Sequence, residues 1–302
     1  MHGGGLGADV PGPCRDTGCL PWGGPHCRTG INSGGATIDK IRVLVTGASG
    51  KMGREVLNAA CRDGQLEPVG AVEQRPVEEF LSLPDGSGLI PMMRDIEAAL
   101  VRCKPDVLVD FTTAEAAVVN AKAALSHGVA VVVGTTGLSE DNLKEIESKV
   151  KETGVGAVVA PNFALGAVLM IYLAKIAARF FDYAEVVEMH HEQKIDAPSG
   201  TAISTAKAML EARGRPFSHP EAIKETIKGT RGGETGGIAI HSVRMPGLVA
   251  SQEVIFGSLG QTLTIRHDTI SRESFMPGVL MAIKEVVRRN DFVLGLDNLL
   301  GL

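Results

Sequence analysis

The chain has none of the marks of several protein classes. Positive charge is not in excess: 30 Lys and Arg against 35 Asp and Glu give a formal net charge of −5. That argues against a polyanion-binding surface over the whole molecule, and no nucleic-acid partner is expected. No apolar run is long enough to cross a bilayer. The most apolar stretch, LGAVLMIYLAKIAARFF, is broken by Lys175 and Arg179 and falls short of the roughly 20 residues a span needs. It reads as a buried core or interface helix, with no membrane contact. A CxxC pair is missing too. Cys14, Cys19, Cys27, Cys61 and Cys103 are odd in number and scattered, so no disulfide framework is expected and a reducing, cytoplasmic setting is favoured. Cys61 and Cys103 fall in predicted helices, where a buried thiol acts as a small apolar residue. No internal repeat is present.

Residues 1–38 are rich in Gly and Pro, without apolar periodicity or the continuous apolar core of a secretory signal. They are expected to form a disordered tail, read as an artefactual or misassigned start. Cys14, Cys19, Cys27 and His26 lack the spacing of zinc ligands, and no metal site is expected.

From Ile41 onward short apolar runs alternate with helical stretches. IRVLVTG, LEPVGAVE, DVLVDFT, AVVVGTTG and GAVVAPN read as strands, and KMGREVLNAACRDG, DIEAALVRC, AEAAVVNAKAALSHG and SEDNLKEIESKVKETG as helices. Strands apolar throughout and separated by helices predict a parallel, doubly wound sheet covered on both faces. After about Glu185 the rhythm changes. AEVVEMHH, GGIAIHSVRM, SQEVIFGS and QTLTIRHDT read as strands with one helix among them, which predicts a second α+β domain with a mostly antiparallel sheet. SFMPGVLMAIKEVVRRN is helical again and is expected to return to the first domain. The expected division is 39–163 plus 272–302 for the first domain and 164–271 for the second.

VTGASGKMG places Gly47, Gly50 and Gly53 between the first strand and the first helix. The spacing is GxxGxxG rather than GxGxxG, and a glycine triplet alone is an ordinary turn signal. Here it closes a strand, opens a helix and begins a βαβ unit, the context of a pyrophosphate-binding turn. Glu73 lies 20 residues beyond Gly53, where dinucleotide folds hold the adenosine ribose. Lys51, Gln74 and Arg75 soften the preference against an NADP phosphate, so NADH and NADPH both stay open. GTTG (from Gly134) and APNF (from Ala160) each follow a strand whose end would line the crevice, although either alone is an ordinary loop.

EMHHEQKIDAPSGTA supports two readings. Two histidines at a strand end are commonly a solvated edge, and a nearby lysine a surface charge. His190 and His191 fall on opposite strand faces, which disfavours a shared metal. Alternatively, DAPSGT turns the N–H groups of Gly200 and Thr201 outward at a helix start as a carboxylate corner. Lys194 then adds positive charge and His190 a proton near neutral pH.

VTGASGKMG, VDFT, GTTG, APNFALG, EMHHEQKIDAPSGTA and IAIHSVRMPG, in this order, resemble the 4-hydroxy-tetrahydrodipicolinate (dihydrodipicolinate) reductases of lysine and diaminopimelate biosynthesis. The resemblance runs from about Ile41 to the C-terminus. It implies a Rossmann domain completed by the C-terminal helix, a central domain that binds substrate and builds a homotetramer, and NADH or NADPH as hydride source. By motif match Gly47, Ala48, Ser49, Gly50, Lys51, Met52 and Glu73 would bind the nucleotide. So would Gly134, Thr135, Thr136, Ala160, Pro161, Asn162 and Phe163. His190 would be the catalytic proton donor/acceptor and Lys194 a proton donor, with His191, Ser199, Gly200 and Thr201 on a small dicarboxylate substrate.

Two stretches depart from the family pattern. EQRPVEEFLSLPDGSGLIPMMRD looks shorter than the usual connection, with Gln74 where a basic residue is common. Ser251 and Gln252 replace an acidic–histidine pair, which is expected to alter packing more than catalysis. The rival readings are another NAD(P)-dependent dehydrogenase of the same fold, disfavoured by the lack of a Glu-Lys-Pro motif, and a non-catalytic NAD(P)H sensor.

Overall fold

A computed structural model describes Met1 and residues 39–302. The tail expected over 1–38, with Cys14, Cys19, Cys27 and His26, lies outside the described residues. In chain order the first elements are β1 (Ile41–Thr46), α1 (Lys51–Arg62), β2 (Leu66–Val72), β3 (Phe80–Ser82), β4 (Leu89–Met93) and α2 (Ile96–Cys103). Then come β5 (Val107–Asp110), α3 (Ala114–Ser126), β6 (Ala130–Val133), α4 (Glu140–Thr153) and β7 (Ala157–Val159). Next are α5 (Leu165–Ala177), β8 (Tyr183–His190), α6 (Gly200–Arg213), β9 (Gly233–Thr235), β10 (Ile238–Arg244), β11 (Ala250–Ser258) and β12 (Gln261–Thr269). A short 3-10 turn leads into α7 (Met276–Val286), β13 (Phe292–Leu294) and α8 (Leu296–Leu300).

The first sheet runs β13-β7-β6-β5-β1-β2-β4-β3. Every pairing is parallel except β3 with β4. Its central six strands follow the order of a Rossmann sheet, with the reversal between β1 and β5. Strand alternation explains why these strands are apolar throughout. Val43, Val45, Val107 and Val109 point to one face, where α1 and α7 cover them through Val56, Leu57, Val279 and Ile283. Leu44, Leu108, Val131 and Val133 point to the other, against α2, α3 and α4.

Two expectations need correction. The stretch after β2, taken as a connection, carries the hairpin β3–β4. Pro91 interrupts the apolar run LIPMM and cannot donate to a ladder; β4 accordingly pairs with β2 only at Met92 and Met93. The C-terminal region packs α7 on the face of the first sheet, and it also supplies a strand where only a helix was expected. β13 pairs beside β7 as the edge strand, a three-residue segment too short for its periodicity to be read.

The second sheet runs β12-β11-β8-β10-β9 and is antiparallel except where β10 lies parallel to β8. Val186, Ile238, Val254 and Phe256 pack against Ala174 of α5 and Ala206 and Met209 of α6. Burying a side chain such as Phe256 contributes about 1.5–3 kcal/mol. The α5 helix buries Ala167, Val168, Met170, Ala174 and Ala177 and leaves Leu169, Leu173 and Ile176 exposed. Cys61 and Cys103 are free, in α1 and α2, and Cys103 is buried. Among the described residues no helix is long and apolar enough to cross a membrane.

Candidate active site

At the switch point the chain leaves β1 into the glycine turn. Gly47 takes φ +74°, and a Cβ there would sit 2.5 Å from the Phe111 carbonyl oxygen; at Gly53 it would sit 2.1 Å from the Gly47 carbonyl oxygen. Only glycine lets α1 start this close to the sheet. The helices α2, α3, α4 and α6 each have a side chain capping their first turn, from Asp95, Thr113, Ser139 and Ser199. By contrast α1 begins at Gly50 with no side-chain cap. Its orphan N–H groups therefore suit a phosphate-bearing ligand. Glu73 Oε1 accepts from the Ser49 N–H at 2.5 Å, bracing the turn from the end of β2.

A fully buried carboxylate organises the loops opposite. Asp110, the last residue of β5, accepts from Thr46 Oγ1 (2.6 Å), Thr112 N (3.0 Å) and Oγ1 (2.8 Å), Asn120 Nδ2 (2.8 Å) and Thr135 Oγ1 (2.7 Å). Five donors, and no cation among the described residues, satisfy its buried oxygens. They also fix the Phe111–Thr112 and Gly134–Thr136 loops relative to β1. Gly134 is a glycine because a Cβ there would lie 2.1 Å from the Phe111 ring.

The second sheet supplies the facing wall. Register places His190 beside Ala250 and Arg244, and the next row on the same face carries Glu188, Gln252 and His267. Glu188 is fully buried, lies 2.5 Å from His190 Nδ1 in a hydrogen bond, and accepts from Arg244 Nη1 and Nη2 at 2.9 and 2.7 Å and from the Ser199 N–H at 3.2 Å. Burial pushes its carboxyl up, but hydrogen bonds from Arg244, Ser242 and His190 and the Arg244 charge outweigh this and hold it below the usual carboxylate range. Burial lowers the His190 pKa, against the upward pull of Glu188, and the Lys194 and Arg244 charges lower it further. Lys194 Nζ is paired with Asp196 at 2.7 Å. Ser199 Oγ caps α6 by accepting from Ala202 N at 3.2 Å, which leaves the N–H groups of Gly200 and Thr201 without a partner among the described residues.

A cleft of about 630 Å³ joins the two walls. Gly50, Lys51, Met52, Gly134, Thr135, Thr136, Pro161, Asn162 and Phe163 line it from the first sheet, and His190, Ser199 and Thr201 from the second. A second lobe of about 620 Å³ shares Thr136, Pro161, Asn162, His190, Ser199 and Thr201 and adds Lys194 and Gly200. His190 thus stands on the wall common to both. Gly47, Ala48, Ser49, Glu73 and Ala160 line neither lobe; Ala48 and Ala160 are fully buried, whereas Ser49 is exposed. His191 lines neither lobe.

Asp110, Phe111, Glu188, Arg244, His267 and Arg272 also stand at or beside the cleft, although, Glu188 apart, their linear pattern does not single them out. Glu188 carries a readable signal: it precedes His190 by two positions on one strand and so shares its face. Arg244 and His267 come from other strands, and only register brings them near. Gln252, noted as a departure from the family, lines the cleft and donates through Nε2 to Thr205 Oγ1 at 2.7 Å.

A Rossmann sheet whose switch-point crevice opens onto a histidine-bearing second sheet is the architecture of the nicotinamide-dependent oxidoreductases. Comparison with known proteins then narrows the class. Residues 41–163 match the family description "Dihydrodipicolinate reductase, N-terminus" and residues 166–300 "Dihydrodipicolinate reductase, C-terminus". The chain belongs to the dihydrodipicolinate reductase family, whose members use NADH or NADPH. It is 54% identical over 262 residues to the 4-hydroxy-tetrahydrodipicolinate reductase of Dehalococcoides mccartyi, covering 87% of this chain and 99% of that protein. The reductase of the same name from Moorella thermoacetica is 49% identical over 266 residues, with 87% and 99% covered. Among solved structures, the dipicolinate-bound dihydrodipicolinate reductase from Paenisporosarcina sp. TG-14 superposes with a TM-score of 0.77 at 40% identity, covering 86% of this chain and 99% of that one. An amine dehydrogenase from Mycobacterium smegmatis, at TM-score 0.60 and 16% identity over 85% of this chain and 95% of that one, shares the fold alone.

Proposed function

We propose that the chain reduces 4-hydroxy-tetrahydrodipicolinate, a cyclic imine dicarboxylate, to tetrahydrodipicolinate and water, consuming one NAD(P)H and one proton. The observation that carries this reading is the cleft with the uncapped start of α1 and the Gly134–Thr136 loop on one side and His190 on the other. Bound nicotinamide would supply the hydride; the chain's own groups bind, align and handle protons. The turn from Gly47 to Met52 takes the pyrophosphate, and Glu73, with one oxygen committed to Ser49, turns the other to the ribose. Thr135, Thr136, Ala160, Pro161, Asn162 and Phe163 shape the floor of the nicotinamide end.

On the other wall, the N–H groups of Gly200 and Thr201 hold one carboxylate, and Ser199 keeps that helix start in place. Lys194 exchanges Asp196 for the substrate anion and serves as proton donor. His190 donates or accepts the proton near neutral pH. His191 stands off the cleft, so its share in carboxylate binding requires the 191–198 loop to turn inward. Residues 39–163 with 272–302 form the nucleotide domain. Residues 164–271 form the substrate domain and assemble the homotetramer, and the enzyme works in the cytoplasm.

Purified protein supplied with substrate made in place by the upstream synthase tests the reading. NADH or NADPH oxidation that starts only when the synthase runs, and that dipicolinate inhibits, supports it. Oxidation driven instead by sugars or amines contradicts it.

A further inference from the structure

Glu188 and His190 point the same way from β8, and both carboxylate oxygens of Glu188 are committed. Oε2 meets His190 Nδ1 at 2.5 Å and accepts from Arg244 Nη1, and Oε1 accepts from Arg244 Nη2 and the Ser199 N–H. Arg244 can only donate, and it also reaches the Asp196 carbonyl oxygen at 2.7 Å. A fully buried carboxylate clasped by a guanidinium stays an anion, and an anion can only accept. Nδ1 of His190 must therefore be the donor. Nε2 has no partner among the described residues, on the wall that both lobes share.

We propose that Glu188 is a positioning residue for the reduction: it fixes His190 as the Nδ1–H tautomer, so that Nε2 is the ring atom presented to the substrate. The same carboxylate holds the ring in register with the Gly200–Thr201 corner through the Ser199 N–H. The role in reduction rests on the reductase reading of the cleft; the tautomer does not.

Glu188→Gln makes a sharp test because the Ser199 N–H decides which way the amide turns. Arg244 donates to both oxygen positions and favours neither, whereas the Ser199 N–H can only donate and claims the amide oxygen at the Oε1 position, so the amide NH2 faces Nδ1, which must then accept. The ring proton moves to Nε2 and blocks the atom the cleft uses.

The experiment is a long-range 1H–15N correlation spectrum of 15N-histidine-labelled full-length protein at about pH 8, above the ordinary histidine range. His190→Gln identifies the signals. The wild type should show the Nδ1–H tautomer and Glu188→Gln the Nε2–H form, with kcat lowered about a hundredfold and NAD(P)H affinity unchanged. A wild-type Nε2–H tautomer overturns the proposal, and so does Glu188→Gln that keeps both the Nδ1–H tautomer and full kcat. If that variant does not fold, the wild-type tautomer decides alone. A wild type that holds the Nδ1–H tautomer but never turns over the imine counts against the reductase reading instead.

Discussion

His190 is held by one carboxylate and faced by two cations, and this balance determines its behaviour. Replacing His190 or Lys194 by Gln should lower kcat more than about tenfold, in line with loss of a proton-transfer group. NAD(P)H affinity, followed by nucleotide fluorescence, should not change, because neither residue lies on the nucleotide side. The burial-lowered pKa of His190 has a stability consequence with a definite sign. The unfolded chain takes up the proton first as pH falls through the ordinary histidine value of 6.5, so His190 favours the folded state above that pH and weakens it below. Urea midpoints measured from pH 8 to about pH 5 should fall less in His190→Gln than in the wild type. An equal fall in both would mean that the imidazole is not buried as described. Glu188 acts in the acid range. Its carboxyl is held below the ordinary 4.5, so its contribution is complete above that value and is lost as pH drops through the lower folded pKa.

At the scale of elements, the proposed binding features are two helix starts. The α1 start depends on packing: a methyl at Gly53 would press into the Gly47 carbonyl oxygen at 2.1 Å. Gly53→Ala should therefore displace the turn and raise the NAD(P)H Kd at least about tenfold, one lost hydrogen bond or its equivalent. Unchanged affinity would mean that the turn does not touch the nucleotide. The α6 start depends on Ser199, whose hydroxyl caps Ala202 N. Ser199→Ala should cost about 1 kcal/mol in denaturant unfolding and raise the KM for the dicarboxylate more than that for the cofactor. The long elements were legible in the sequence because short apolar runs alternate there with helical stretches. The β3–β4 hairpin and β13 were not. Each is three to five residues long, Pro91 interrupts one of them, and their pairing depends on neighbours far along the chain.

At the scale of the molecule, the parallel sheet and the mixed sheet were predictable from the change of rhythm near Glu185. The side-chain pairs within each of them were not. Asp110 gathers Thr46, Thr112, Asn120 and Thr135 from four places, and Arg244 reaches Glu188 from the neighbouring strand. Linear spacing carries no trace of such register. On the proposed reading, a reduced nicotinamide and a dianion meet beside His190 in the cleft between the sheets. Transfer of isotope between them measures that meeting directly. With NAD(P)H deuterated at the transferring C4 position, one deuterium per turnover should end on a ring carbon of tetrahydrodipicolinate. Deuterium found in water, or turnover without label in the product, would contradict direct hydride transfer across the cleft.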